Sequence, residues 1–197
     1  MYDNNKYNSL LSDFEKELIS FKMLRYNEIP DIDLYMDQTI IYLNKRLMIL
    51  TKNDDSIITS SMINNYVKAG IIPSPISKKY SKKHIAYIIC VCFFKQILSM
   101  NEIKVLFDYI KFNENEEKSY NFFCENIEFS FKNCCRLINT EKNETTINDP
   151  EDFILFYACK AIASKLYAEK SIILLQKTIN EKKIEEIKRE VEKIKID

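Results

Sequence analysis

The chain has 197 residues, 29 basic and 29 acidic side chains, and 46% hydrophobic residues. That length fits one domain, or one small domain with an extension, and the composition excludes a disordered chain. One glycine, four prolines and no tryptophan leave little turn material, which excludes a hairpin-rich fold and predicts a mainly α protein.

The chain opens on the polar run Met1 to Asn5, without a secretory signature. Its longest apolar run, Ile85 to Phe94, has ten residues, against the roughly 20 that span a bilayer. A cytoplasmic location and no membrane partner are expected.

Residues 9–24 read as an amphipathic helix, with Leu11, Phe14, Leu18 and Phe21 at helical spacing. Pro30 ends the next connector. Asp31 or Asp33 can cap a helix from Leu34 to about Leu50, whose apolar stripe includes Tyr35, Leu43, Leu47 and Leu50. Thr51 to Ser56 is a polar break, longer than the roughly 3–4-residue turn of a minimal helix-turn-helix.

The stretch from Thr59 to His84 then reads as a helix, a stop, a basic loop and a new helix. Thr59 is an N-cap candidate, and Gly70 suits a left-handed C′ position. Met62, Ile63 and Tyr66 can face a core, with Ser61, Asn64, Asn65 and Lys68 on the other side. Pro73 and Pro75 stiffen a loop that carries Lys78, Lys79 and Tyr80. Ser81 caps the next helix, which opens with Lys82, Lys83 and His84 and is apolar nearly all round from Ile85 to about Leu98, as a buried helix would be.

Ser99 and Glu102 form a capping-box signature for a helix to about Phe112. A further helix follows from about Ser119 to Ile138, and residues 139–149 read as a loop. Asp149 and Pro150 suit the N-cap and first turn of a helix with no breaker up to the C-terminus. On it Ile184, Ile187, Val191 and Ile194 form a seam about two heptads long amid Lys and Glu.

Charge is unevenly placed. Residues 59–104 carry 7 Lys/Arg against 1 Asp/Glu, whereas residues 1–58 carry 7 against 10, residues 105–150 carry 5 against 9, and residues 151–197 carry 10 against 9. A local basic excess on a neutral chain is the footprint of one face that meets phosphate, or of a plain solvated face.

The order helix, Gly70-Ile71-Ile72-Pro73, Lys78-Lys79-Tyr80-Ser81, long helix resembles the MerR-type winged helix-turn-helix. That group shows a tyrosine-bearing recognition helix, Gly-Leu-Leu-Pro, and a wing ending in Arg-x-Tyr-Ser. Here Asn64, Asn65 and Tyr66 fall where the group has Arg-Tyr-Tyr, and Lys78 and Tyr80 fall on its wing Arg and Tyr. The chain also resembles an uncharacterised, YkrK-like domain-of-unknown-function family of Gram-positive bacteria. That likeness covers roughly residues 29 to 110 and rests on Pro30 to Gln38, Met62 to Tyr66, and Lys79-Tyr80-Ser81. Both resemblances imply DNA binding.

The expected fold is mainly α: an N-terminal helix (1–28), a winged helix-turn-helix DNA-binding domain (29–112), and a C-terminal helical region (113–197) for dimerisation or effector binding. Expected DNA-binding residues are Ser60, Ser61, Asn64, Asn65, Tyr66 and Lys68 on the recognition helix, Lys78, Lys79 and Tyr80 on the wing, and Lys82 and Lys83 behind it. Asn can bond adenine bidentately, Ser can bond base edges or phosphates, and Lys contacts phosphates. The expected partners are double-stranded DNA, a second copy in a homodimer, and a small-molecule effector. The rival readings are a protein-interaction module and a small-molecule sensor on the same helical fold.

No catalytic site, cofactor or metal site is expected. The six cysteines include no Cys-x-x-Cys pair, and the single His84 does not complete a zinc set. Small buried thiols account for most of them, with a thiol- or metal-sensing role, as in some MerR-type regulators, as the alternative. His84 lacks a serine or cysteine constellation and reads as a phosphate contact or a surface residue. Asp31, Asp33, Asp54 and Asp55 read as capping and turn residues. One glycine leaves no phosphate-binding loop.

Overall fold

The computed structural model describes residues 3–51, 56–109, 112, 114–135 and 150–194. Among these the chain forms α1 (Asn4–Ser20), β1 (Leu34–Tyr35), α2 (Met36–Arg46), α3 (Ser60–Lys68), β2 (Lys79–Tyr80), α4 (Lys82–Phe94), α5 (Met100–Tyr109), α6 (Glu116–Cys134) and α7 (Pro150–Ile194). Short 3-10 turns lie at Tyr26–Glu28 and Met48–Leu50. The two strands pair antiparallel, Leu34 with Tyr80 and Tyr35 with Lys79. The protein is mainly helical, as its composition predicts.

Helix α1 starts earlier than its apolar stripe suggests, because the Asp3 carboxylate accepts from the amides of Asn5 and Lys6. It ends at Ser20, and residues 21–25 run non-helically along α6. There the buried Glu128 carboxylate accepts from the Met23 amide (2.8 Å), Lys22 Nζ (3.2 Å) and the Arg25 guanidinium (3.0 Å). A buried carboxylate without such partners would cost several kcal/mol, so this grip fixes the connector.

The helix expected from Leu34 to Leu50 is shorter. Its first residue is Met36, and the Gln38 side chain accepts from the Tyr35 amide, in place of a cap from Asp31 or Asp33. It stops at Leu47, which begins a 3-10 turn. Leu47 and Leu50 are both buried while Met48 is exposed, so the turn serves core packing and not a local breaker. Of the polar break that follows, residues 52–55, including Asp54 and Asp55, lie outside the described residues.

Helix α4 is the centre of the fold. Every residue from His84 to Phe94 is buried, and α4 packs on α2, α6 and α7. Phe94 meets Phe123 of α6 at a 5.1 Å ring separation and Phe107 of α5 at 6.1 Å, and Tyr87 meets Phe107 at 5.2 Å and Phe112 at 4.5 Å. Such edge-on and tilted pairs add to plain area burial. Helix α5 opens with the expected capping box, Ser99 and Glu102 each bonding the other's amide. Helix α7 begins at Pro150 and runs antiparallel to α1, with Phe14 against Tyr167 and Lys6 paired to Glu181 at 2.8 Å. The hydrophobic core includes residues from all seven helices. The expected loop 139–149 lies outside the described residues. No described helix is long and apolar enough to cross a membrane.

Candidate nucleic-acid interface

Helix α3 is built as its sequence predicts. The Thr59 hydroxyl accepts from the Met62 amide. At the other end Gly70 has φ 66°, its amide donates to Val67 O, and the Ile71 amide donates to Tyr66 O at 3.0 Å. This pair of bonds is a Schellman motif, and glycine adopts its left-handed C′ position without a Cβ penalty. Ile63 and Tyr66 are buried, and Ser60, Ser61, Asn64, Asn65 and Lys68 are exposed. Those five side chains share the outward face, one helical turn apart.

Two polar residues that sequence reasoning missed hold α3 in place. Asn44 of α2 accepts from the amides of Ile57 (2.8 Å) and Ile58 (3.1 Å) and donates to Ser56 Oγ and Ile58 O. All four bonding positions of its amide are used, so the segment entering α3 is stapled to α2. From the C-cap of α4, Lys95 donates to Ile57 O at 3.1 Å.

Residues 71–80 form an arm closed by the Tyr80–Leu34 pairing. Its tip is a tight turn: the Lys79 amide donates to Ile76 O (2.9 Å), and Ser77 and Lys78 between them have φ 51° and 63°. Two consecutive positive φ values mark a type I′ hairpin turn, which Asn and Gly favour. Here Lys78 occupies the second central position and is exposed, beside Ile76, which is 75% exposed. The Lys79 ammonium lies 5.2 Å from the centre of the Tyr35 ring.

His84 is buried, a correction to its reading as a surface or phosphate-contacting residue. Its Nδ1 accepts from the Ser81 amide (3.1 Å) and lies 2.8 Å from Ser81 Oγ, which makes Nε2 the protonated nitrogen, 3.1 Å from Ser74 O. The ring therefore ties the arm to the start of α4. Tyr66 and Tyr80 are buried too. Burial raises both phenol pKa values, and these rings face the core instead of offering a binding surface. Lys82 lies 5.4 Å from the centre of the Tyr26 ring, and Lys83 is paired with Glu116. The structure thus leaves the α3 face and the arm tip exposed, commits Tyr66, Tyr80 and Lys83 to internal contacts, and sets Lys79 and Lys82 each against an aromatic ring.

Five cysteines are buried and Cys134 is half-buried. Burial pushes the Cys92, Cys124 and Cys134 thiols up to about 12, so they are neutral and weakly nucleophilic at neutral pH. No group of three or more His, Cys, Asp or Glu among the described residues could hold a metal ion.

A family model described as a domain of unknown function, DUF1836, matches residues 24–134, a span that contains α3, the arm and α4. No curated protein and no solved structure matches the chain.

Proposed function

The chain belongs to the DUF1836 family, a domain of unknown function, and from its residues we propose a sequence-specific, DNA-binding transcriptional regulator of MerR-like winged helix-turn-helix type. In this reading α2 and α3 are the two helices of the motif, and the arm from Ile71 to Tyr80 is its wing. Helix α3 lies in the major groove, where Asn64 and Asn65 meet base edges and Ser60, Ser61 and Lys68 meet bases or backbone. Lys78 and Lys79 contact the flanking phosphates. The protein acts as a homodimer, so that two copies of α3 read two half-sites.

One observation carries the reading: α3 exposes a polar face, and the arm that follows it in the chain holds an exposed Lys78 at its tip. Among the described residues, the side chains of Asn64, Asn65 and Lys68 make no internal hydrogen bond or ion pair. A core helix with a merely wet face has no reason for the adjoining strained basic turn. The stiff supports of this face, Asn44, Lys95 and His84, suit a surface that must keep its shape on binding.

The test is selection of preferred sequences from random duplexes, followed by titration of wild type and variants. Asn64→Ala or Asn65→Ala should cost roughly 1–3 kcal/mol on the selected site and little on random DNA. Lys79→Ala should weaken binding about equally on every sequence and lower the salt slope by roughly 1. A wild-type protein that prefers no duplex over random sequence at physiological salt refutes the proposal.

A further inference from the structure

The arm tip carries an apolar side chain that the phosphate contacts do not use. Ile76 is 75% exposed, beside the exposed Ser77 and Lys78. It pairs with Lys79 across the turn, and Lys79 pairs with Tyr35 across the sheet. Residues directly opposite one another in an antiparallel ladder project to the same face, and neighbours along a strand alternate. Tyr80 and its partner Leu34 therefore turn inward, where Tyr80 is buried. Tyr35, Lys79 and Ile76 form an outward row. The Lys79 ammonium lies over the Tyr35 ring, which leaves Ile76 as the uncovered end of that row.

We propose that Ile76 is a wedge that enters the minor groove next to the segment read by α3 and parts one base step there. The inference rests on the DNA-binding reading and adds to it a residue that reads the deformability of the duplex.

Charge is the first argument. No Asp or Glu occurs from Thr59 to Asn101, so in its own stretch Ile76 is framed by cations alone, with Lys78 and Lys79 closest. Asp33 and Asp37 flank β1, the far strand, and Lys79 stands between that strand and Ile76. An apolar tip among lysines suits a groove with phosphate rims and a floor of stacked bases. An apolar protein surface would offer those lysines no counter-charge.

Stiffness is the second argument, since a wedge must hold its shape while it displaces stacked bases. Ile76 is β-branched and stiff at χ1, and Pro75 before it has a fixed φ. The bond from the Lys79 amide to Ile76 O, at 2.9 Å, closes the turn, and His84 ties the root of the arm at Ser74 O, 3.1 Å away.

Size is the third. The tip is a two-residue turn. The strands of a ribbon lie roughly 4.8 Å apart, and the minor groove of B-DNA is about 6 Å wide. The groove takes the side chains of the tip and stops the ribbon behind them.

The experiment uses the full chain and the duplex it selects from random sequence, with 2-aminopurine placed at each adenine in turn and circular dichroism as the check on folding. Wild type should raise the fluorescence at least twofold at one step outside the bases read by α3. Selected duplexes should favour TA or CA/TG at that step, because pyrimidine–purine steps unstack most easily. Ile76→Ala should abolish the rise and relax that preference. Ile76→Phe should keep the rise, and Lys79→Ala should keep it with a lower salt slope. Asn64→Ala should weaken binding without moving the step. If Ile76→Ala keeps the rise, or wild type binds its selected duplex with every base stacked, the wedge is overturned and the proposed function stands. A protein that selects no duplex overturns both. Unchanged DNA binding by Ile76→Arg, together with loss of self-association in light scattering, would assign the tip to a protein contact and overturn the wedge as well.

Discussion

On the proposed function, the tip of the arm should make stability and DNA affinity move in opposite directions. Ser77 and Lys78 sit at φ 51° and 63°, where an L-residue with a Cβ costs roughly 1–2 kcal/mol. Replacing the pair by Asn-Gly supplies the residues that a type I′ turn favours. Gly gives back roughly 0.5–1 kcal/mol through the freedom of the unfolded chain, so the net gain is about 1 kcal/mol. For a chain of this size that is a rise of roughly 2–4 °C in melting temperature. The same change removes the exposed Lys78 ammonium, and with it the proposed phosphate contact, so the slope of log affinity on log salt should fall by about 0.9. The control is Lys78→Ala, which keeps the Cβ at positive φ and should lose the same slope without the gain in melting temperature. Differential scanning calorimetry and fluorescence anisotropy over 50–200 mM salt read the two effects separately. A melting temperature that falls for the Asn-Gly variant refutes the turn assignment. An unchanged salt slope refutes the phosphate contact while leaving the turn intact.

Asn44→Ala should cost about 3 kcal/mol in urea unfolding, because the amides of Ile57 and Ile58 lose their acceptor inside the protein; Asn44→Asp keeps that acceptor and should cost less. Gly70→Ala should lower the melting temperature by a few degrees, through roughly 1–2 kcal/mol of left-handed strain. A collision is not the cause, since the added Cβ would meet only Lys104 Nζ at 3.5 Å. A native-state thiol titration at pH 8 should label at most Cys134 quickly, and all six after denaturation. Because burial raises the thiol values in the folded state, the folded protein holds more protons than the unfolded chain above about pH 9. Stability should therefore fall as pH rises from 9 toward 12, which urea midpoints across that range would measure.

Local signals in the sequence were read well where the structure answers to local forces. Thr59 and Gly70 bracket α3 because capping is settled within a turn of the chain, and the apolar run after His84 marks α4 because no exposed helix tolerates it. Signals failed where a distant partner decides. Lys83 reads as a free charge until Glu116, 33 residues on, folds against it. His84 sits in a run of Ser and Lys, and only the return of the arm brings Ser74 O to its ring. Asn44 falls on the polar side of α2, with nothing nearby to show that it will bond residues 56–58. The bend at Leu47 has no breaker, because it arises from the demand that Leu47 and Leu50 both reach the core. On α3 the separation of Ile63 and Tyr66 from the asparagines was legible from period alone, but the burial of Tyr80 and the pairing of Lys83 beyond it were not.

The burial of α4 on every side bears on how this protein can be taken apart. One flank of α4 supports α2 and the arm, and another stacks Phe93 and Phe94 on Phe123 of α6. A fragment cut after residue 112 would keep the whole α3 face yet bare those rings to water. At roughly 1.5–3 kcal/mol for each large apolar side chain uncovered, two or three rings would consume much of a typical folding free energy of 5–15 kcal/mol. The α3 face is therefore not a detachable cassette. It would not travel alone by gene fusion or survive limited proteolysis between α5 and α6, and its inheritance would be tied to the helices that wall in α4.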